Sequence, residues 1–268
     1  MRIEDVTDYF RLRRLAANPW AVLRFRKRHA LGSALQVELR AGPRLNLRGG
    51  FPDFHMFHRI FLRDEYRIAA HCSGPLECVV DLGANVGIFA AFAAARARRV
   101  VACEPMPNNF RELTANLAGL NNVALVRAAI AATPGTLRLY RPRLEMLTGT
   151  YSAHPDPTRY VIEDPEQVPA LTLDQLFVEQ SITRCDLLKI DIEGHEYEVL
   201  HATSSATLAK IQRIHGEYHD VRPEDPRTRI DHFREFLTRC GYRVELLPHR
   251  RKPNHGMFFA GRPSGEGQ

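Results

Sequence analysis

The chain has 268 residues, 44% of them apolar, with a formal net charge of +6, which suffices for one sizeable domain with an extension and a buried core. No apolar run approaches the roughly 20 residues of a membrane span, and the early acids of Met1-Arg2-Ile3-Glu4-Asp5 lead into no apolar stretch, so neither a transmembrane segment nor a secretory signal is expected and a cytoplasmic location is. Five scattered cysteines (Cys72, Cys78, Cys103, Cys185, Cys240) without CxxC spacing read as reduced structural thiols and argue against a cysteine-held zinc site.

In chain order, Val6, Phe10 and Leu15 have helical spacing up to Asn18-Pro19, where proline interrupts, and Trp20 to Arg28 restarts it. Residues 1–30 hold eight Arg or Lys against three acids, so most of the net charge sits on this arm. The alternating runs Leu35–Leu39 and Arg44–Leu47 flank Ala41-Gly42-Pro43 and predict a hairpin; a helix is expected over Met56–Ala70. Residues 1–75 are therefore taken as an N-terminal extension. From there strands alternate with helices, the signature of a parallel sheet covered on both faces. Strands are expected at Cys78–Leu82, Arg99–Cys103, Val123–Arg127, Asp186–Asp191, Ile211–Glu217, Tyr242–Leu246 and Met257–Gly261, and helices at Val86–Arg96, Pro107–Ala118, Thr172–Glu179, Glu196–His201 and Arg229–Cys240. This gives an α/β domain over 76–262 and a tail over 263–268. Gly135–Tyr140 is strand-like, and Arg141–Pro169, with five prolines, reads as a long loop.

Val79-Val80-Asp81-Leu82-Gly83-Ala84-Asn85-Val86-Gly87 is an apolar strand ending in an acid, then a tight turn into an Ala-rich helix. Glycine lets a ligand approach the backbone, and a helix start offers free N–H groups. A dinucleotide fingerprint needs glycine at the first, third and sixth positions. Counted from Gly83 those are Gly83, Asn85 and Ile88, which disfavours NAD and suits a nucleoside ligand without pyrophosphate whose ammonium Asp81, or water near it, can meet. Glu104 ends the next strand, where an acid accepts hydrogen bonds from ribose hydroxyls.

The blocks Asp81–Gly87, Glu104-Pro105-Met106-Pro107-Asn108-Asn109, Thr172-Leu173-Asp174 and Leu188-Lys189-Ile190-Asp191-Ile192-Glu193-Gly194-His195-Glu196, with the Glu217 strand end, resemble the FkbM family of S-adenosylmethionine-dependent methyltransferases, in family order over roughly residues 50–261. Asp191–Glu196 is the most specific block, and Ala202 departs from the family by standing where glycine is common. The resemblance implies a Rossmann-like class I methyltransferase sheet of seven strands with the last antiparallel. It further implies S-adenosyl-L-methionine as donor, S-adenosyl-L-homocysteine as product, and O-methylation of a hydroxyl on a sugar or glycan or, alternatively, on a polyketide or other small natural product. The donor set it implies is Asp81, Gly83, Ala84, Asn85, Gly87, Glu104, Pro105, Asn109, Ala129 and Asp191.

Asp191 is the first candidate for base or acceptor anchor, with Glu193, Glu217 and His219 behind it; His219 is expected to titrate near neutrality. Alternatively Asp191 and Glu193 cap the helix opening at Gly194. No metal site is expected, although Asp191 and Glu217 could offer oxygen ligands to a divalent ion. Thr148–His154 reads as a loop able to close over substrate or as a plain surface connection, and Tyr66 as a donor or acceptor contact or as an anchor for the extension. Phe10, Trp20, Phe25 and the Arg24–Arg28 cluster suit peripheral contact with an anionic surface or partner, or a packed helix with solvated arginines. The neutral remainder and the absence of an Asn/Asp-Pro-Pro-aromatic motif argue against an RNA-methylating protein, as the glycine pattern does against a nicotinamide oxidoreductase. The oligomeric state, homo-oligomer included, stays open.

Overall fold

The structure, a computed structural model, describes residues 3–28, 30–72, 74–143, 151–154, 156, 160–220, 229–250 and 254–263. Two helices, α1 (Ile3–Leu15) and α2 (Pro19–Arg28), lie on either side of Asn18, with Pro19 opening the second, where its missing N–H is harmless. The Asn18 amide donates to the Gln36 carbonyl and accepts from the Glu38 N–H, which ties this turn to a hairpin of β1 (Ala34–Glu38) and β2 (Arg44–Arg48). Leu35, Val37, Leu45 and Leu47 all face inward; alternation in the sequence made this hairpin legible.

The single helix expected over 56–70 is instead three pieces. A short α3 (Asp53–Phe57) runs into a π-helical turn at His58–Leu62, and α4 (Ile68–His71) follows after left-handed Asp64 and Arg67. The Asp64 carboxylate accepts the Ile68 and Ala69 N–H groups, each at 2.9 Å, so a local side-chain bond competes with helix continuation. The break swings Glu65 and Tyr66 toward the sheet.

The core elements follow as β3 (Leu76–Leu82), α5 (Ile88–Ala94), β4 (Ala97–Cys103), α6 (Pro107–Asn116) and β5 (Val123–Val126). Next come β6 (Ala129–Ile130), β7 (Gly135–Pro142), β8 (Tyr160–Leu171), α7 (Leu173–Glu179) and β9 (Leu187–Ile190). The remainder are α8 (Glu196–Ala202), α9 (Ser205–Ala209), β10 (Arg213–His219), α10 (Ile230–Arg239), β11 (Arg243–Pro248) and β12 (His255–Gly261). Among the described residues, seven strands form one sheet in the order β11-β12-β10-β9-β3-β4-β5, with only β12 antiparallel to its neighbours. Chain direction across the sheet reverses between β3 and β9, which opens a crevice beyond their carboxyl ends.

A second expectation is corrected. Residues 160–169, expected as the end of a long loop, instead belong to β8, which pairs with β7 and β6 in a second sheet. Pro165 and Pro169 lowered the strand signal, yet Pro169 sits opposite Thr136 on a strand whose partners leave room for a missing donor. The apolar interior runs without interruption from Leu12, Val22 and Phe57 of the extension to Ile88 and Phe92 of α5; the other sheet face packs around Leu188, Tyr197 and Phe233. Among the described residues, no helix is long and apolar enough to cross a membrane.

Candidate active site

At the end of β3 the chain turns through Gly83 to Val86. Gly83 has φ +76°, and a Cβ there would stand 2.0 Å from the Asp191 carbonyl oxygen, so backbone crowding and handedness both require glycine. The Gly83 and Ala84 N–H groups donate to the Cys103 carbonyl at 3.0 and 2.9 Å, which locks the turn to the end of β4. Glu104 completes the lock: its carboxylate accepts the Asn85 N–H at 2.9 Å and the Met106 N–H at 3.0 Å. Burial pushes Glu104 up to about 7 despite these bonds.

The turn, Glu104 and Met106 form one wall of a cavity. Asn85 on that wall is 7% exposed, and its Oδ1 has no hydrogen-bond partner among the described residues. A buried polar atom of this kind is costly unless a ligand meets it, so the wall fits a polar nucleoside group. Ala129 of β6 and Leu137 and Leu139 of β7 add an apolar patch opposite, suited to a flat base. Because an ionised Glu104 accepts two hydroxyls and a protonated one does not, nucleoside affinity is expected to fall as pH drops below about 7. Calorimetry at pH 6 and pH 8 checks this, and equal affinities would remove Glu104 from the binding set.

Beneath the turn lies an ion pair that sequence reasoning missed. Asp81 and Lys189 are register partners on β3 and β9, hence on one face of the sheet. Lys189 Nζ stands 3.1 Å from Asp81 Oδ1 and donates to the Leu82 and Gly83 carbonyls at 3.1 and 2.7 Å. Burial opposes the charge of both groups; for Lys189 the neighbouring Asp81 and Asp191 outweigh it and raise its pKa. A lone lysine inside Leu-Leu-Lys-Ile was the available signal, since lysine is almost never fully buried unpaired.

Carboxylates gather at the far end of the cavity. Asp191 follows β9 and accepts the Tyr66 hydroxyl at 3.0 Å. The buried His215 Nδ1–H donates to the Tyr66 carbonyl at 2.7 Å, and burial holds His215 down at about 4, hence neutral. Glu217 of β10 lies 3.9 Å from the Arg59 guanidinium, which also pairs closely with Glu65. Burial first, then the Asp191 charge, raises Glu217 above the usual carboxylate range; burial likewise raises Glu193.

Of the residues expected in the site, Gly83, Ala84, Asn85, Glu104, Pro105 and Asn109 stand on the cavity wall. Ala129, Asp191, Glu193 and Glu217 stand there too, whereas Asp81, Gly87 and His219 lie behind it. His219 does not titrate near neutrality as expected. Burial opposes its charge, but Glu196 at 3.1 Å and Glu193 at 3.7 Å raise it well above the ordinary imidazole range. Asp191 and Glu193 do not cap α8; Glu196 itself accepts the Ile192 and Gly194 N–H groups and pins that turn. Arg59, Glu65 and Lys189 were unforeseen, as was the apolar wall from β7. Tyr151 and Ala153 reach the cavity, while Thr148, Gly149 and Thr150 lie outside the described residues. In the basic arm Phe25 is buried in the core, while Phe10 and Trp20 stay exposed.

A sheet in this order with only its last strand reversed, and a nucleoside-shaped turn at its switch point, define the class I S-adenosylmethionine-dependent methyltransferases. Within that class the chain belongs to the FkbM methyltransferase family: the family described as Methyltransferase FkbM domain matches residues 81–244. Among curated relatives, the AMB antimetabolite synthetase AmbE of Pseudomonas aeruginosa is 30% identical over 251 residues, covering 80% of this chain and 12% of that protein. The hexuronic acid methyltransferase AglP of Haloferax volcanii is 28% identical, covering 54% of this chain and 57% of its own length. The 31-O-demethyl-FK506 methyltransferase FkbM of Streptomyces tacrolimicus is 28% identical, covering 55% of this chain and 67% of its own. The chain thus spans about an eighth of the first of these and little more than half of the second.

Proposed function

We propose that the enzyme methylates a hydroxyl group of a sugar or glycan. The observation that carries this is the joining of two kinds of wall in one cavity: the Gly83–Asn85 turn with Glu104, and the cluster of Asp191, Glu193 and Glu217. Carboxylates are natural acceptors for the many hydroxyls of a sugar, and one relative is named as a hexuronic acid methyltransferase. Bound S-adenosylmethionine supplies a methyl group on a sulfonium, with neutral S-adenosylhomocysteine as the leaving group. Glu104, Asn85 and the Gly83 turn would hold it, with the Ala129 and Leu137 patch against its base.

An alcohol is a poor nucleophile until its proton leaves. Glu217, raised by burial and Asp191 toward neutrality, is suited to take that proton as the oxygen–methyl bond forms and the sulfur–methyl bond breaks. Asp191, held in place by Tyr66, would orient the hydroxyl. Arg59 then balances the charge on Glu217. Glu217→Gln is expected to lower kcat by about a hundredfold or more while leaving donor affinity unchanged. Turnover assayed against a panel of sugars, nucleotide sugars and polyketide alcohols tests the acceptor class; activity confined to polyketides would replace the sugar reading with the natural-product one.

A further inference from the structure

On the rim of the cavity, outside both the donor turn and the acid cluster, His154, His195 and Glu198 converge from two segments about forty residues apart. One nitrogen from each ring and a carboxylate oxygen of Glu198 lie within 4.8 Å of one another. His195 Nε2 and Glu198 Oε2 are 3.5 Å apart, and the centroids of the two imidazoles are 4.5 Å apart with the rings tilted by 39°. In a tetrahedral zinc site with bonds of about 2.1 Å, ligand atoms stand roughly 3.4 Å apart. One edge of that tetrahedron is therefore already in place, and the others are within reach of small side-chain rotations.

The surroundings match the demands of metal binding. A carbonyl can only accept, so the 2.9 Å contact between His154 Nε2 and the Gly194 oxygen places the ring proton on Nε2 and leaves the Nδ1 lone pair for an ion. Metal-ligating histidines are oriented by such a bond. Ser152 Oγ donates to the Glu193 carbonyl at 2.8 Å and accepts the His154 N–H at 3.2 Å, so the two segments are registered without the ion's help. A second trio, Asp191, Glu196 and His219, does not compete. Glu196 is already engaged by two backbone N–H groups and by His219, which is itself the cation there.

We propose that His154, His195 and Glu198 form a divalent-cation site, best matched to zinc, whose remaining position faces the acceptor end of the cavity. His195 lines the cavity, so an ion held there would clamp residues 151–154 over the acceptor and offer it an open coordination position for one oxygen. The site itself stands apart from methyl transfer, while its placement beside the acceptor rests on the function proposed above.

The test uses the untagged full chain, stripped with a chelator and titrated with Zn²⁺ alone, with Co²⁺ as a visible-absorbing substitute. The expected result is about one ion per chain, a Co²⁺ spectrum of low coordination number, and binding weakened at least ~10-fold in both His154→Ala and Glu198→Gln at unchanged melting temperature. The proposal is overturned if the wild-type chain takes up no Zn²⁺, if both variants bind it as the wild type does, or if uptake is lost in Asp191→Asn and kept in His154→Ala. Donor affinity, measured in parallel by calorimetry, separates any failure of this site from a failure of the methyltransferase assignment.

Discussion

Gly83→Ala is expected to weaken S-adenosylmethionine binding by roughly 30- to 1,000-fold. The left-handed backbone at φ +76° costs an alanine about 1 kcal/mol. The larger cost is steric: the new Cβ meets the Asp191 carbonyl oxygen at 2.0 Å, and backbone cannot rotate away as a side chain does. Overpacking of this kind costs about 1–3 kcal/mol, and a total near 2–4 kcal/mol corresponds to that range of affinity. Relief requires the turn to move off β9, which pulls the Asn85 N–H away from Glu104 and spoils the wall that holds the nucleoside. Calorimetric titration with S-adenosylmethionine, alongside a thermal melt, measures both effects. Wild-type affinity in a folded Gly83→Ala variant would show that the donor binds elsewhere.

Lys189→Met should produce the largest loss of stability, about 3–5 kcal/mol, because it leaves a buried charge without its partner. Asp81 is fully buried and the Lys189 side chain is only 4% exposed. The ammonium also supplies two hydrogen bonds to the carbonyls of Leu82 and Gly83. The sign with pH follows from Asp81, whose pKa is already raised by burial and rises further without the lysine. A folded state that binds a proton more readily than the unfolded chain gains stability as pH falls. The deficit should therefore be greatest above neutrality and shrink toward pH 5. In urea unfolding, Asp81→Asn combined with Lys189→Met should recover part of the loss; a double variant as unstable as the sum of the singles would show that the two groups do not interact.

The parallel sheet was legible because its strands are short apolar runs bounded by turn residues, and the tight turn after β3 because glycine and acid spacing has a backbone cause at Gly83 and Glu104. Less legible were features set by tertiary contact. β8 hides behind Pro165 and Pro169 because its pairing with β7 is long-range and its residues alternate weakly. Asp64 breaks the helix expected over 56–70 through a side-chain bond that no periodicity records. His219 looked like a neutral-range base in isolation, and only the neighbouring Glu196 and Glu193 show it to be a fixed cation. Lys189 carried a signal in its apolar context, but its partner Asp81 is defined by strand register rather than by spacing.

The cavity draws its two halves from separate stretches of chain. The donor turn, Glu104 and Asp191 fall within residues 81–244, whereas Arg59, Glu65 and Tyr66 come from the broken helix ahead of the sheet. That segment shares one apolar interior with α5, and β12, which lies between β11 and β10, also falls outside residues 81–244, so the matched stretch depends on chain from both sides of it for a complete sheet and cavity. Substitutions along residues 52–66 would therefore be felt across the whole cavity, because Tyr66 donates to Asp191 at the end of β9.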